Sequence, residues 1–303
     1  MKVYIEYGTT ENPYGGANQF IKALKESFIK KNIYTDDSTA ANIILFNGHH
    51  HAMAVQELNY AKRKEQRFVH RLDGLQKIYN NPDDRRQDLA FHLNLLYADG
   101  TVFQSEWAKE KHIEHGLRIT KHAEVIPNAP DDKIFNTEYT KEANKKTKLI
   151  CSSFAPNPRK GFDIYNFLDK NLDFEKYEMM FVGNMAPGYN FENIRMLEPV
   201  RSKDLAEILK NQDIYVTAVK DDCCSNSLIE ALSCGLPSVV LNSGGSPEIV
   251  KDGGVLFEGE EDILERIEEL SSNIEKYRNS IKTSSINEIS DEYISFFERV
   301  ANG

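Results

Sequence analysis

The run Asp221-Asp222-Cys223-Cys224-Ser225-Asn226-Ser227-Leu228-Ile229-Glu230 sets two carboxylates on either side of a short polar loop. The loop opens onto a helical pattern that stops at Gly235 and Pro237. Small residues at a helix start, here Ser225, Asn226 and Ser227, leave backbone N–H groups that favour a phosphate. Glu230 falls in the first turn of that pattern, near enough to accept hydrogen bonds from a ribose diol. Asp222 stands on the far side of the loop and can accept hydroxyls from the other end of the same ligand. A nucleotide-sugar carries hydroxyls at both ends and a diphosphate between, so the arrangement suits it. Two plainer readings stay open. Ser227-Leu228-Ile229-Glu230 has the spacing of a capping box, and Asp222 reads also as a solvated loop acid.

Other segments carry chemistry of the same kind. Ser152-Ser153-Phe154-Ala155-Pro156-Asn157-Pro158-Arg159-Lys160-Gly161 is a strand end feeding a basic loop ahead of a helix, the right physics for a diphosphate. Asn12-Pro13-Tyr14-Gly15-Gly16-Ala17-Asn18 follows the first strand, and its glycines allow close approach of a ligand to backbone. It lacks the G-x-G-x-x-G spacing of a dinucleotide loop. His70-Arg71-Leu72-Asp73-Gly74 ends an apolar strand, which makes Asp73 and His70 candidates for contact with an acceptor hydroxyl. His49-His50-His51 cannot all face one metal from a regular strand, because neighbouring side chains alternate. The doublets Asp36-Asp37, Asp83-Asp84 and Asp131-Asp132 read as solvated loops.

The elements that must position these residues alternate between short apolar runs and amphipathic stretches, the pattern of a parallel sheet flanked by helices. Strands are predicted at 3–7, 43–46, 67–71, 100–103 and 123–126, then at 148–152, 177–182, 214–217, 238–241 and 254–257. Helices are predicted at 18–31, 107–115 (with Ser105 as N-cap), 162–171, 204–211, 227–234, 247–250, 260–270 and 286–300. A polar stretch over 136–148 is the candidate linker. It separates a first α/β half, 1–140, from a second, 147–285, and the final helix, 286–303, is expected to fold back on the first.

Asp222, seven intervening residues and Glu230, followed by Ala231-Leu232-Ser233-Cys234-Gly235-Leu236-Pro237, resemble the E-x7-E signature of retaining GT-B glycosyltransferases of family 4 type. Asp222 stands where that family usually has Glu, one methylene longer. Gly244-Gly245-Ser246-Pro247-Glu248 and the Lys160-Gly161 loop are also similar to family segments, although Ala155 occupies a position where an Arg is common. Phe181-Val182-Gly183-Asn184 and Leu197-Glu198-Pro199-Val200 resemble the segments that hold the nucleotide base. The resemblance implies an α/β GT-B fold, two Rossmann-like domains facing across a cleft. The first would take a glycan or other hydroxyl acceptor. The second would take a nucleoside diphosphate sugar as donor substrate, with no cofactor and no metal. It implies Asp73, His70, Lys160, Asp222 and Glu230 as catalytic residues. Gly16, Ser153, Arg159, Asn184, Val200, Cys224, Ser225, Asn226 and Ser227 would join Lys160, Asp222 and Glu230 in binding the donor. A non-catalytic nucleotide-sugar-binding protein and a GT-B-like sugar-nucleotide epimerase are the alternatives to a hexosyltransferase.

Composition bounds the rest. The 303 residues suit two domains, and 40% hydrophobic with 28% charged residues is ordinary for a globular chain. Lys+Arg 37 against Asp+Glu 47 leaves a formal charge of −10, the wrong balance for a nonspecific nucleic-acid binder. No run is long and apolar enough for a membrane span, and the start, Met1-Lys2-Val3-Tyr4-Ile5, reads as a strand and not a leader. Four cysteines without a C-x-x-C pair read as reduced thiols. A cytoplasmic enzyme of polysaccharide synthesis, with at most peripheral membrane contact, is the expectation.

Overall fold

The computed structural model describes residues 1–8, 16–138 and 145–303. The chain divides into two units, one of residues 1–9, 20–128 and 285–303, the other of residues 10–19 and 129–284.

The first unit is built on a parallel sheet of β1 (Val3–Glu6), β2 (Ile43–Asn47), β3 (Arg67–Arg71), β4 (Gly100–Phe103) and β5 (His122–Val125), neighbours in that order. The helices between them are α1 (Gly16–Lys30), α2 (Ala52–Tyr60), α3 (Gln76–Tyr79), α4 (Arg85–Tyr97) and α5 (Glu106–Glu114). Every residue of β2 is buried, as a strand covered on both faces requires. Ser105 caps α5 by accepting the N–H of Ala108, and Asp84 caps α4 through the N–H of Arg86. Tyr34 bridges Val3 in parallel on the edge opposite β2. The chain therefore leaves β1 on one side and returns on the other, so the sheet's switch point lies between β1 and β2.

The second unit carries β6 (Thr147–Ser153), β7 (Tyr177–Gly183), β8 (Arg195–Leu197), β9 (Ile214–Thr217), β10 (Ser238–Leu241) and β11 (Gly254–Phe257). They are parallel throughout and ordered β11-β10-β9-β6-β7-β8. Its helices are α6 (Phe162–Asn171), α7 (Ser202–Lys210), α8 (Asn226–Ser233), α9 (Ser246–Val250), α10 (Ile263–Ser271) and α11 (Ile274–Asn279). The chain steps outward from β6 to β8, then returns to place β9 against the free side of β6. That reversal makes the C-terminal ends of β6 and β9 the switch point, where open parallel sheets hold ligands. Two apolar clusters fill the helix–sheet layers, one around Phe162, Tyr165 and Phe181, the other around Tyr215, Leu228 and Leu232.

Two boundaries differ from the sequence expectation by three residues or more. The units part at Asn128 and Ala129, earlier than the polar linker suggested. Phe135 explains the shift, because it is buried in the second unit's core beside Ile150 and Tyr215. α10 begins at Ile263 rather than 260, since Asp262 turns its carboxylate back to accept the N–H groups of Glu258 and Gly259.

The last helix, α12 (Ile286–Asn302), belongs to the first unit. A capping box of Ser285 and Glu288 starts it. Its buried stripe includes Ile289, Tyr293, Phe296 and Phe297. Phe297 meets Phe28 edge-on with centroids 6.0 Å apart, and Tyr293 lies 6.2 Å from Phe20. Ser290 and Ser27 share a buried hydroxyl hydrogen bond of 2.8 Å.

Candidate functional site

At the second unit's switch point, β6 runs into a tight turn that presents two cations. Asn157 accepts the N–H of Arg159 and starts a 3-10 turn over Pro158–Lys160. Gly161 ends the turn with φ +84°, and a Cβ there would lie 2.3 Å from the Cβ of Ala218. Only glycine lets the basic turn press so closely against the end of β9. The Lys220 N–H donates to the Arg159 carbonyl at 2.7 Å and ties the two strand ends together.

The loop after β9 answers with acids. Lys160 Nζ donates to Asp222 Oδ2 at 3.0 Å. Arg159 pairs with Asp221, and Lys220 pairs with Asp163 at 2.6 Å. The other Asp222 oxygen accepts the Cys224 N–H at 3.1 Å, which bends the chain toward α8. The turn after β10 grips this loop from behind. Ser243 Oγ accepts the Asp221 N–H, and the Gly245 N–H donates to the Asp222 carbonyl at 2.8 Å. Gly244 sits at φ +64°, with space for a Cβ already taken by that carbonyl at 2.4 Å. Asp221 itself holds φ +56°.

α8 starts at Asn226 with Ser225 as N-cap, and no side chain caps it. Ser227 is therefore inside the helix, and its hydroxyl meets that of Ser225 at 3.2 Å. The capping box read from Ser227 and Glu230 does not form. No donor among the described residues reaches the Glu230 carboxyl, and burial pushes it from 4.5 to about 8. Beneath it, Tyr215 and Ser152 share a hydroxyl hydrogen bond of 3.2 Å, and burial raises that phenol to about 12. Cys223 and Cys224 are buried in the loop, and none of the four cysteines forms a disulfide.

The remaining donor-side candidates are placed as follows. Ser153 is buried, its hydroxyl turned onto the Ala155 carbonyl at 2.9 Å. Asn184 donates to the Phe154 carbonyl at 2.6 Å and braces the same loop. Val200 is partly buried and packs on the core around Tyr215. Gly16 opens α1, and the glycine loop before it lies outside the described residues.

In the first unit, Asp73 stands at the end of β3 within a polar cluster. Its Oδ2 accepts from Asn47 at 2.7 Å, and its Oδ1 accepts from Arg71 at 3.0 Å and from Gln104 at 3.3 Å. Arg71 is fully buried, lies 4.8 Å from the Phe20 ring, and reaches Asn128 at 2.6 Å. His50 faces the Asp73 carboxylate at 3.8 Å. His70 is not part of this surface. It is 0% exposed, stacks on Phe46, and uses both ring nitrogens, Nε2 with the Gly48 carbonyl and Nδ1 with Asn94. Burial lowers its pKa to about 3, so it is a neutral imidazole inside the first unit's core. The triple histidine lies in the turn after β2 and not on a strand, and it splits there. His49 stacks on His50, whereas His51 at φ +54° turns to Glu6 at 2.7 Å. Among the described residues no group of three or more His, Cys, Asp or Glu is placed to hold a metal ion.

Sequence reasoning passed over three members of the donor-side cluster: Asp221, Tyr215 and Ser243. Asp221 was visible as half of an acidic doublet beside Asp222. Tyr215 and Ser243 left no local signal, because they act across strands.

Residues 138–286 match the model of the family described as glycosyl transferases group 1. One subunit of human phosphatidylinositol N-acetylglucosaminyltransferase is 22% identical over 177 residues, 54% of this chain and 36% of its own length. A probable sucrose-phosphate synthase of Thermosipho melanesiensis is 23% identical over 235 residues, 68% of this chain and 55% of its own. The chain thus spans between about a third and a little over half of these curated relatives. Among solved structures, sucrose-phosphate synthase from Thermosynechococcus elongatus superposes with TM-score 0.71 at 12% identity, over 100% of this chain and 97% of that one. Anabaena HepE in complex with UDP-glucose does so with TM-score 0.71 at 13% identity, over 99% and 98%. The chain shares their GT-B fold. No helix among the described residues is long and apolar enough to cross a membrane.

Proposed function

We propose, from the match of residues 138–286 to the model of glycosyl transferases group 1, that the chain moves a hexosyl group from a nucleoside diphosphate sugar to a hydroxyl acceptor with retention of anomeric configuration. The observation that carries this reading is the convergence at the β6/β9 switch point. There Lys160 lies 3.0 Å from Asp222, the start of α8 has no side-chain cap, and the Glu230 carboxyl is desolvated and has no donor among the described residues.

Each group has a part in the reaction. Glu230 takes the ribose diol, whose hydroxyls supply the donors that its carboxyl lacks. Asp222 keeps lone pairs beyond those given to Lys160 and Cys224, and with them accepts hydroxyls of the transferred sugar. Lys160, Arg159 and the first N–H groups of α8 hold the diphosphate and stabilise its charge as it departs. The acceptor oxygen bonds to the anomeric carbon as the bond from that carbon to the phosphate oxygen breaks. The acceptor proton passes to the leaving phosphate. In this reading helix dipole and cations supply the positive charge, and no metal ion takes part. The first unit takes the acceptor, with Asp73 receiving a hydrogen bond from its hydroxyl. A cytoplasmic place and a role in polysaccharide assembly follow from the same reading.

UDP-glucose is the donor to test first, because HepE of the same fold was captured with it. The protein is incubated with UDP-, GDP-, ADP- and dTDP-glucose and a set of free sugars. Nucleotide release is followed, and product anomers are read by NMR. Transfer with retention supports the reading. Binding without turnover would mark a nucleotide-sugar-binding protein, an isomerised donor an epimerase, and either would overturn it.

A further inference from the structure

The donor-side cluster is electrically balanced. Three cations, Arg159, Lys160 and Lys220, are matched one to one by Asp221, Asp222 and Asp163. A neutral cluster has little long-range pull on a diphosphate, whatever its cations do at contact. Something must yield when the anion arrives, and the three acids are not held equally. Asp222 is fixed by the Cys224 N–H, by Lys160 and, through its carbonyl, by Gly245. Asp163 pairs with Lys220, which lies past the end of β9 and not in the basic turn after β6, in a contact about two-fifths exposed on each side. Asp221 has its backbone pinned by Ser243, yet its carboxylate meets Arg159 where both side chains are about one third exposed, 37% and 32%. A pair that open to water contributes on the order of 0–1 kcal/mol, whereas a phosphate offers the guanidinium a two-pronged, charge-assisted contact.

We propose that Asp221 is a displaceable counter-ion: its carboxylate occupies the Arg159 guanidinium until the donor's diphosphate takes that place, and so sets the affinity for nucleoside diphosphates. The carboxylate keeps Arg159 oriented at the strand end and lowers the affinity of the site for anions that cannot displace it. The proposal rests on the reading of this cluster as a diphosphate site.

The test is UDP binding by calorimetry at low salt and at about 0.5 M salt, where screening shortens to a few ångströms. The variants are Asp221→Asn, Arg159→Ala, the double variant and Asp163→Asn. Asparagine suits the left-handed backbone at this position, so the fold is kept, and a thermal melt verifies it. Asp221→Asn is expected to tighten UDP by about two- to fivefold at low salt, the scale of one exposed charge pair. The gain should shrink at high salt and vanish when Arg159 is already Ala. Asp163→Asn should give a smaller gain. UDP affinity unchanged or weakened in Asp221→Asn, or the same gain in the Arg159→Ala background, would overturn the counter-ion role while leaving the diphosphate site standing. Failure of the wild-type protein to bind UDP, GDP or ADP at all would overturn both.

Discussion

Glu230→Gln should make the second unit more stable and its nucleotide site worse, and the two effects should diverge with pH. The folded carboxyl titrates near 8 instead of 4.5 because burial penalises its charged form. Between those values the folded chain holds a proton that the unfolded chain has released. Stability from this group is therefore complete below about pH 4.5 and is lost as pH rises through 8. Linkage puts the cost of keeping Glu230 at about 1 kcal/mol at pH 5, about 3 kcal/mol at pH 7 and about 5 kcal/mol well above pH 8. A neutral amide of the same shape avoids it. Hydrogen exchange of the second unit's strands at pH 5, 7 and 8.5 reads the gain separately from the first unit. The same variant should bind UDP at least about tenfold more weakly, because an amide presents one acceptor oxygen to the ribose diol where the carboxyl, once it releases its proton on binding, presents two. If Gln destabilises at pH 7, or if its effect is flat across pH, the carboxyl is hydrated or paired and the assignment of the ribose to it fails.

Lys160→Ala strips Asp222 of its cation and should weaken UDP by roughly tenfold or more in calorimetry, with a shallower salt dependence. Gly161→Ala places a Cβ against Ala218 at a positive φ and should lower second-unit stability by about 2 kcal/mol or more, measured by thermal melt. In the first unit burial holds His70 near 3 and His112 near 4, below the ordinary 6.5. Their stabilisation is full above pH 6.5 and is lost as pH falls toward 4, at about 1.4 kcal/mol per pH step for each ring. Hydrogen exchange of β3 and α5 between pH 7 and 5 should show that slope, and His70→Gln should roughly halve it. Phe297→Ala should cost the first unit about 3–5 kcal/mol in denaturant unfolding, because its ring is wholly enclosed against Phe28.

Much of the fold was legible because parallel strands are short, apolar and bounded by turns. β3, β4, β9, β10 and β11 have the limits that their runs predict. β8 was not legible, since an edge strand of three half-polar residues has no period to read. The donor-side loops were legible through local spacing: a basic turn before Gly161, and acids around the start of α8. What spacing could not supply was pairing across strands. That Asp221 meets Arg159, that Ser243 pins Asp221, and that Tyr215 lies under α8 depend on β9 sitting between β6 and β10. His70 shows the opposite error. A histidine at a strand end reads as reactive, but the stack on Phe46 and two hydrogen-bonded nitrogens make it part of the interior. The capping-box reading of Glu230 failed by a shift of helix start, since Ser225 and not Ser227 precedes α8.

Because α12 is translated after every residue of the second unit, yet seals the aromatic core around Phe20 and Phe28, the two units cannot mature in the order of synthesis. The later-made unit has all its strands available while the earlier one still exposes a greasy groove on the ribosome. Newborn chains stalled before residue 286 should therefore recruit chaperones to their older half.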